Sequence, residues 1–186
     1  MTKNRSTLIS AISTCTPAFI GEEKTKSDFL ELLQHPNAFQ RDHLPGHITG
    51  SAWIVNRTLT RTVLILHAKL GRWLQPGGHA DGEEDVLNVA LREAEEETGL
   101  RTSLVPSPAI FDLDIHPIPQ RKDFPAHLHY DIRFRVIADE REPLVISDES
   151  TGLKWFDLTE LEELTGNNPS VMRMVAKTIK LRETIG

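Results

Sequence analysis

The sequence predicts an α/β chain, a layered α/β/α domain built on a mixed sheet and preceded by a helical N-terminal extension. Three observations predict it. Apolar spacing over residues 1–42 suits helices, the pattern switches to β-branched and apolar runs from about residue 46, and helical segments recur both within and after the strand series. At 186 residues the chain has room for one good core and a small appendage, so the expected division is 1–42 and 43–186.

Within the extension, residues 6–13 and 25–35 carry helical spacing, the second starting near Ser27 or Asp28 and stopping before Pro36. "GHITGSAWIVN" begins the extended runs, and "RTVLILHAKL" (61–70) reads as a buried strand. Helical propensity returns between Glu83 and Thr98, with Gly99 at the place of a left-handed cap. Two further strands are expected at 109–119 and 127–138, separated by the loop "QRKDFPA". After "LKWFDL" come helical segments at about 158–165 and 169–184, broken at Asn167-Asn168-Pro169. No internal repeat is present.

Apolar residues at 39% and charged residues at 26% describe an ordinary soluble globular chain. A net charge of −6 gives no cationic footprint for long nucleic acids. No run approaches the roughly 18 apolar residues of a membrane span. Cys15 is the sole cysteine, which rules out an intramolecular disulfide and fits a reducing cytoplasm. "STLISAISTCTPAFI" faintly resembles a signal-peptide core, but Ser and Thr interrupt it and no small-residue cleavage site follows.

"LREAEEETGL" concentrates like charge on a helix. Positions i, i+3 and i+4 share a face, so Glu93, Glu96 and Glu97 point one way and Glu95 another. Such a set is either a solvated acidic face or a cage for a hard divalent cation, and Mg²⁺ suits few carboxylates and several waters. The preceding Pro76-Gly77-Gly78 turn lets the backbone approach an ion or phosphate without a Cβ in the way. Arg92 is placed to orient a carboxylate, and Glu84 to meet a helix start or support the loop.

From Gly78 the chain reads Gly, five residues, Glu84, seven residues, then Arg92-Glu93-Ala94-x-Glu96-Glu97-x-Gly99-Leu100. This resembles the Nudix box, the signature of hydrolases acting on nucleoside diphosphates linked to another moiety. Ala94 departs from the usual bulky aliphatic residue and leaves the acids untouched. With "WLQPGG" before and "ESTGLKWFDLTEL" after, the likeness runs over about residues 47–165.

The resemblance implies a Nudix-type sandwich and a pyrophosphohydrolase that uses Mg²⁺ or Mn²⁺ to set water against phosphorus. It implies Glu93 and Glu97 as metal ligands, Glu96 as ligand or base, the Gly77 carbonyl as a further ligand, and Arg92 as an orienting group. Relatives carry an additional acid before the Trp-Phe strand, for which Glu149 is the candidate, with a solvated loop carboxylate as the other reading. The substrate is expected to be a small nucleotide or diphosphate, best an NDP-sugar or ADP-ribose-like compound, then a nucleoside triphosphate. Homodimers are frequent in the family.

Strand alternation along "HLHYDIRFR" puts His127, His129, Asp131, Arg133 and Arg135 on one side and Leu128, Tyr130, Ile132 and Phe134 on the other. If the ionisable side lines a cleft, His129 and Asp131 meet phosphate or a further metal, and His127 or Arg133 pairs with substrate charge. The plain alternative is a half-buried strand with a solvent face. His79 divides the same way, touching phosphate or simply exposed. Trp73 and Trp155 read as packing residues; Trp53, Phe111 and Tyr130 read as core or as base-stacking partners. Two other classes stay open, a non-catalytic Nudix-fold nucleotide sensor and an enzyme resembling isopentenyl diphosphate isomerase. The isomerase needs a cysteine that Cys15, ahead of the domain, does not supply.

Overall fold

The computed structural model describes residues 4–101, 105–106, 110–121, 124–148 and 150–185. In chain order these form α1 (Arg5–Thr14), α2 (Glu22–Leu32), β1 (Gly46–Val55), β2 (Arg61–His67), β3 (Arg72–Leu74), β4 (Gly77–His79), α3 (Val86–Thr98), β5 (Ile110–Ile118), β6 (His127–Ile137) and β7 (Ser150–Asp157). A 3₁₀ turn (Leu158–Glu160), α4 (Leu161–Leu164) and α5 (Pro169–Ile185) follow. The chain is α/β with a mixed sheet. β1 and β6 advance together, since Leu128 N donates to Pro45 O and, ten residues on in both strands, Ala138 N donates to Val55 O; the other pairings are antiparallel.

Two compact units divide the chain. The first comprises Met1–Ser51, Gly77–Ala90 and Pro108–Phe134. Its helix α1 starts on an Asn4 capping box closed by Thr7, and its (i, i+4) pair Leu8 and Ile12 is fully buried. Those side chains join Phe29, Leu33 and Phe39, then Ile48, Val86 and Val89, then Ile132 and Phe134, in one apolar cluster. α1 and α2 therefore supply core to this unit. Arg5 fastens α1 by donating from Nε and its backbone N to Glu84, and from Nη1 and Nη2 to the carbonyls of His35 and Pro36. Glu84 thus holds the start of α1, through the Arg5 backbone N and guanidinium. Helix α2 begins earlier than its spacing predicts, at Glu22, whose carboxylate accepts from the backbone N of Ala18 and Phe19.

The Pro-Gly-Gly turn is partly strand. Gly77–His79 pairs antiparallel with β1, Thr49 opposite His79 and Ser51 opposite Gly77. Gly50 lies beneath the first turn of α3, where a Cβ would stand 2.8 Å from the Val86 carbonyl oxygen and 2.9 Å from its Cγ1. Backbone cannot yield there cheaply. Gly50→Ala is expected to cost about 1–3 kcal/mol through overpacking, read as a lower denaturant midpoint at unchanged m-value.

The second unit comprises Ala52–Pro76, Leu91–Ser107 and Arg135–Gly186. Here β2 pairs with β3 on one side and over its full length with β7 on the other, Val63 opposite Trp155. Ala52, Ile54, Val63, Ala94, Leu100, Val136 and Trp155 form its core. Trp53 is fully buried and donates from Nε1 to Thr178 Oγ1 on α5, so it is a packing residue. Trp73 meets Phe156 edge-on, and Asn168 starts α5 by accepting from the backbone N of Ser170 and Val171. Gly99 ends α3 in the left-handed region (φ 71°), as its position predicts, and Val145 packs where a Cβ would project. Among the described residues, no helix is long and apolar enough to cross a membrane.

Candidate functional site

In the second unit, the C-terminal half of α3 carries the acids. Glu97 is buried, Glu93 has 19% of its side chain exposed, and Glu96 has 62%. The three share a helical face but run from covered to open along it. Arg92 Nη2 donates to Glu93 Oε1 at 3.0 Å, and Arg92 Nε lies 3.9 Å from Glu96 Oε1. An ion pair this exposed adds only about 0.2–1 kcal/mol to stability. Ala94 is fully buried in the unit's core, where its small size lets the helix sit close. Glu149 lies outside the described residues.

In the first unit, the ionisable side of β6 is half-buried at His127 and His129 and buried at Asp131 and Arg133. Asp131 and Arg133 are 2% and 3% exposed, while Ile132 and Phe134 on the opposite side are fully buried. β6 is an interior strand, hydrogen-bonded to β1 along one edge and to β5 along the other, and at these positions side chains on both of its faces are buried. β5 answers residue for residue, with His116 opposite His129, Asp114 opposite Asp131, and Asp112 opposite Arg133. Arg133 donates to Asp131 (2.8 Å), Asp114 (3.0 Å) and Asp112 (3.1 Å). Asp131 also accepts from Thr49 Oγ1 and Ser51 Oγ on β1. Burial alone would lower the Arg133 pKa, but the three carboxylates outweigh it and raise it, so the guanidinium is held charged.

Next along the strands lies a histidine cluster. The His47 ring stands 5.0–5.2 Å from those of His79, His127 and His129, and His129 is a further 5.0 Å from His79 and 5.5 Å from His116. His116 Nδ1 bonds Asp114 Oδ2 at 3.0 Å, joining the cluster to the carboxylate network. Sequence reasoning found His79, His127 and His129 but missed His47, His116, Asp112 and Asp114. The period-2 spacing of "DLDIH" in β5, the mirror of "HLHYDIR", was the available signal.

Burial, and then the neighbouring His79, lower the His47 pKa to about 4; burial, His79 and His116 lower that of His129 to about 2. In the unfolded chain both titrate near 6.5. Below that pH the unfolded state binds protons the folded state refuses, so stability is full above 6.5 and is lost as pH falls toward 4. With chelator present, the wild-type unfolding free energy from urea titrations is expected to drop over this window more steeply than that of His47→Gln, by up to about 1.4 kcal/mol per pH unit.

The family model described as "NUDIX domain" matches residues 47–176. A probable DHNTP pyrophosphohydrolase of Lactococcus lactis subsp. cremoris (strain MG1363) is 29% identical over 156 residues, covering 84% of this chain and 89% of that protein. A NUDIX-family hydrolase from Clostridium perfringens superposes with a TM-score of 0.57 at 20% identity, over 73% of this chain and 97% of its own. The MutT protein from Methanosarcina mazei Go1 gives 0.58 at 18% identity, over 73% and 94%.

Proposed function

The chain belongs to the NUDIX family and is a hydrolase of phosphoric anhydrides; from that premise we propose that it cleaves the diphosphate bond of a nucleoside diphosphate linked to a sugar or ADP-ribose-like group. The observation that carries this reading is the acidic face of α3. Three carboxylates at i, i+3 and i+4, graded from buried Glu97 to open Glu96, make a hard oxygen donor set of the kind that suits Mg²⁺ or Mn²⁺. Glu93 and Glu97 would hold the ion, which supplies charge neutralisation at the phosphates and a lower pKa for bound water.

The chain's own groups do the rest. Arg92 fixes the Glu93 carboxylate through the 3.0 Å bond. Glu96, the most exposed acid of the face, accepts the proton as water oxygen bonds to phosphorus and the bridging P–O bond breaks. The products are a nucleoside monophosphate and a phosphorylated partner. A nucleoside-like triphosphate is the second reading, supported by the name of the Lactococcus lactis relative. Cys15, the sole cysteine of the sequence, fits a setting in a reducing cytoplasm.

The test is product analysis after incubation with ADP-ribose, NDP-sugars, dinucleoside polyphosphates and (d)NTPs in Mg²⁺. Nucleoside monophosphate formed fastest from the sugar-linked diphosphates supports the first reading. Pyrophosphate formed fastest from triphosphates supports the second.

A further inference from the structure

We propose that His47, His127 and His129 form a binding site for one borderline transition-metal dication of the Zn²⁺ class. Among the described residues, these three each present a ring nitrogen within 4.8 Å of the others. His127 Nε2 and His129 Nε2 are already 3.2 Å apart. Two nitrogens bound at about 2.0–2.1 Å to one cation are separated by roughly 3.0–3.4 Å, so the spacing of this pair fits one edge of a coordination polyhedron.

Tautomers agree with that assignment. His127 Nδ1 bonds the Pro125 carbonyl at 2.9 Å and His47 Nδ1 faces the His43 carbonyl at 3.4 Å. A carbonyl only accepts, so the proton sits on Nδ1 in both rings and each Nε2 keeps a lone pair, as in metal-bound imidazoles. His47 Nε2 is buried without a hydrogen-bond partner, in a residue 1% exposed. A buried polar atom left in that state calls for an occupant.

Charge points the same way. Arg133 pairs with Asp112, Asp114 and Asp131, three carboxylates to one guanidinium, and Asp114 reaches the cluster through His116. A dication among the imidazoles would offset that excess. Neutral nitrogen donors select Zn²⁺, Cu²⁺, Ni²⁺ or Co²⁺ over Mg²⁺, which prefers oxygen. His79, with its ring 5.0–5.2 Å from those of His47 and His129, is near enough to approach an open fourth position or the water in it. None of these donors belongs to the acid set of α3.

The experiment uses the full chain without an affinity tag, stripped with chelator and titrated with Zn²⁺ in excess Mg²⁺. X-ray absorption on the zinc-loaded protein reads the ligands directly. The expected result is one equivalent bound with three imidazoles in the first shell. His127→Gln and His129→Gln, each checked for folding by circular dichroism, should weaken binding by more than about 100-fold, beyond the usual cost of losing a supporting group. Glu97→Gln should leave it unchanged. Absence of stoichiometric uptake by the wild type, a first shell without imidazole, or uptake lost in Glu97→Gln and kept in the histidine variants overturns the proposal.

Discussion

Glu97→Gln is expected to lower kcat for the preferred diphosphate by at least about 10²–10³, with little change in fold. Glutamine keeps the length and shape of the side chain and removes its charge. Glu97 is buried on α3, on the face it shares with Glu93 and Glu96. In a partly water-excluded position a carboxylate interacts strongly with a cation, and loss of one fixed charge from such a centre commonly costs that much in rate. Steady-state kinetics with Mg²⁺ titrated for each protein reads the effect. A raised Mg²⁺ requirement with partial recovery at saturation would place Glu97 on the ion; a kcat equal to wild type at all Mg²⁺ levels would remove it from the chemistry.

The second large effect is on folding. Arg133→Leu fills a similar volume but leaves Asp112, Asp114 and Asp131, with side chains 0%, 11% and 2% exposed, facing one another without their shared cation. Breaking a buried ion pair from one side typically costs about 3–5 kcal/mol. For a chain of this length that is a Tm lower by roughly 10 °C or more. The variant should regain part of the loss as pH falls, because protonation removes the charges left exposed to one another. Arg133→Lys should fall between the two proteins, since an ammonium keeps the charge but not the planar fork that reaches three carboxylates at once. A Leu variant as stable as wild type at neutral pH would mean that the network carries no net stabilisation.

The acids of α3 and the Arg133 network differ in how far the sequence reveals them. The acids of α3 are legible because their chemistry lies within one helix, where fixed spacing converts directly into a shared face. Gly99 is legible for the same reason, as a local conformational requirement. The Arg133 network is not, since it needs the register of β5 against β6, and alternation alone labels a strand face polar without saying what covers it. A buried ionic face and a solvated one have the same period. Arg5 and Glu84 are 79 residues apart, and no local pattern links them. Gly77–His79 pairs as a strand only because β1 offers an open edge there; two glycines carry no β-propensity of their own.

If water attacks phosphorus at a cation-dependent carboxylate centre on α3, hydrolysis of the preferred diphosphate in heavy-oxygen water, with Mg²⁺ and again with chelator, gives a distinct outcome. One heavy oxygen is expected in a phosphate group of the products with Mg²⁺, and no reaction in chelator, with Glu97→Gln slowed by at least about 10²–10³. Turnover that persists in chelator, label found on the sugar carbon instead of phosphate, or no turnover of any diphosphate or triphosphate would contradict that attack.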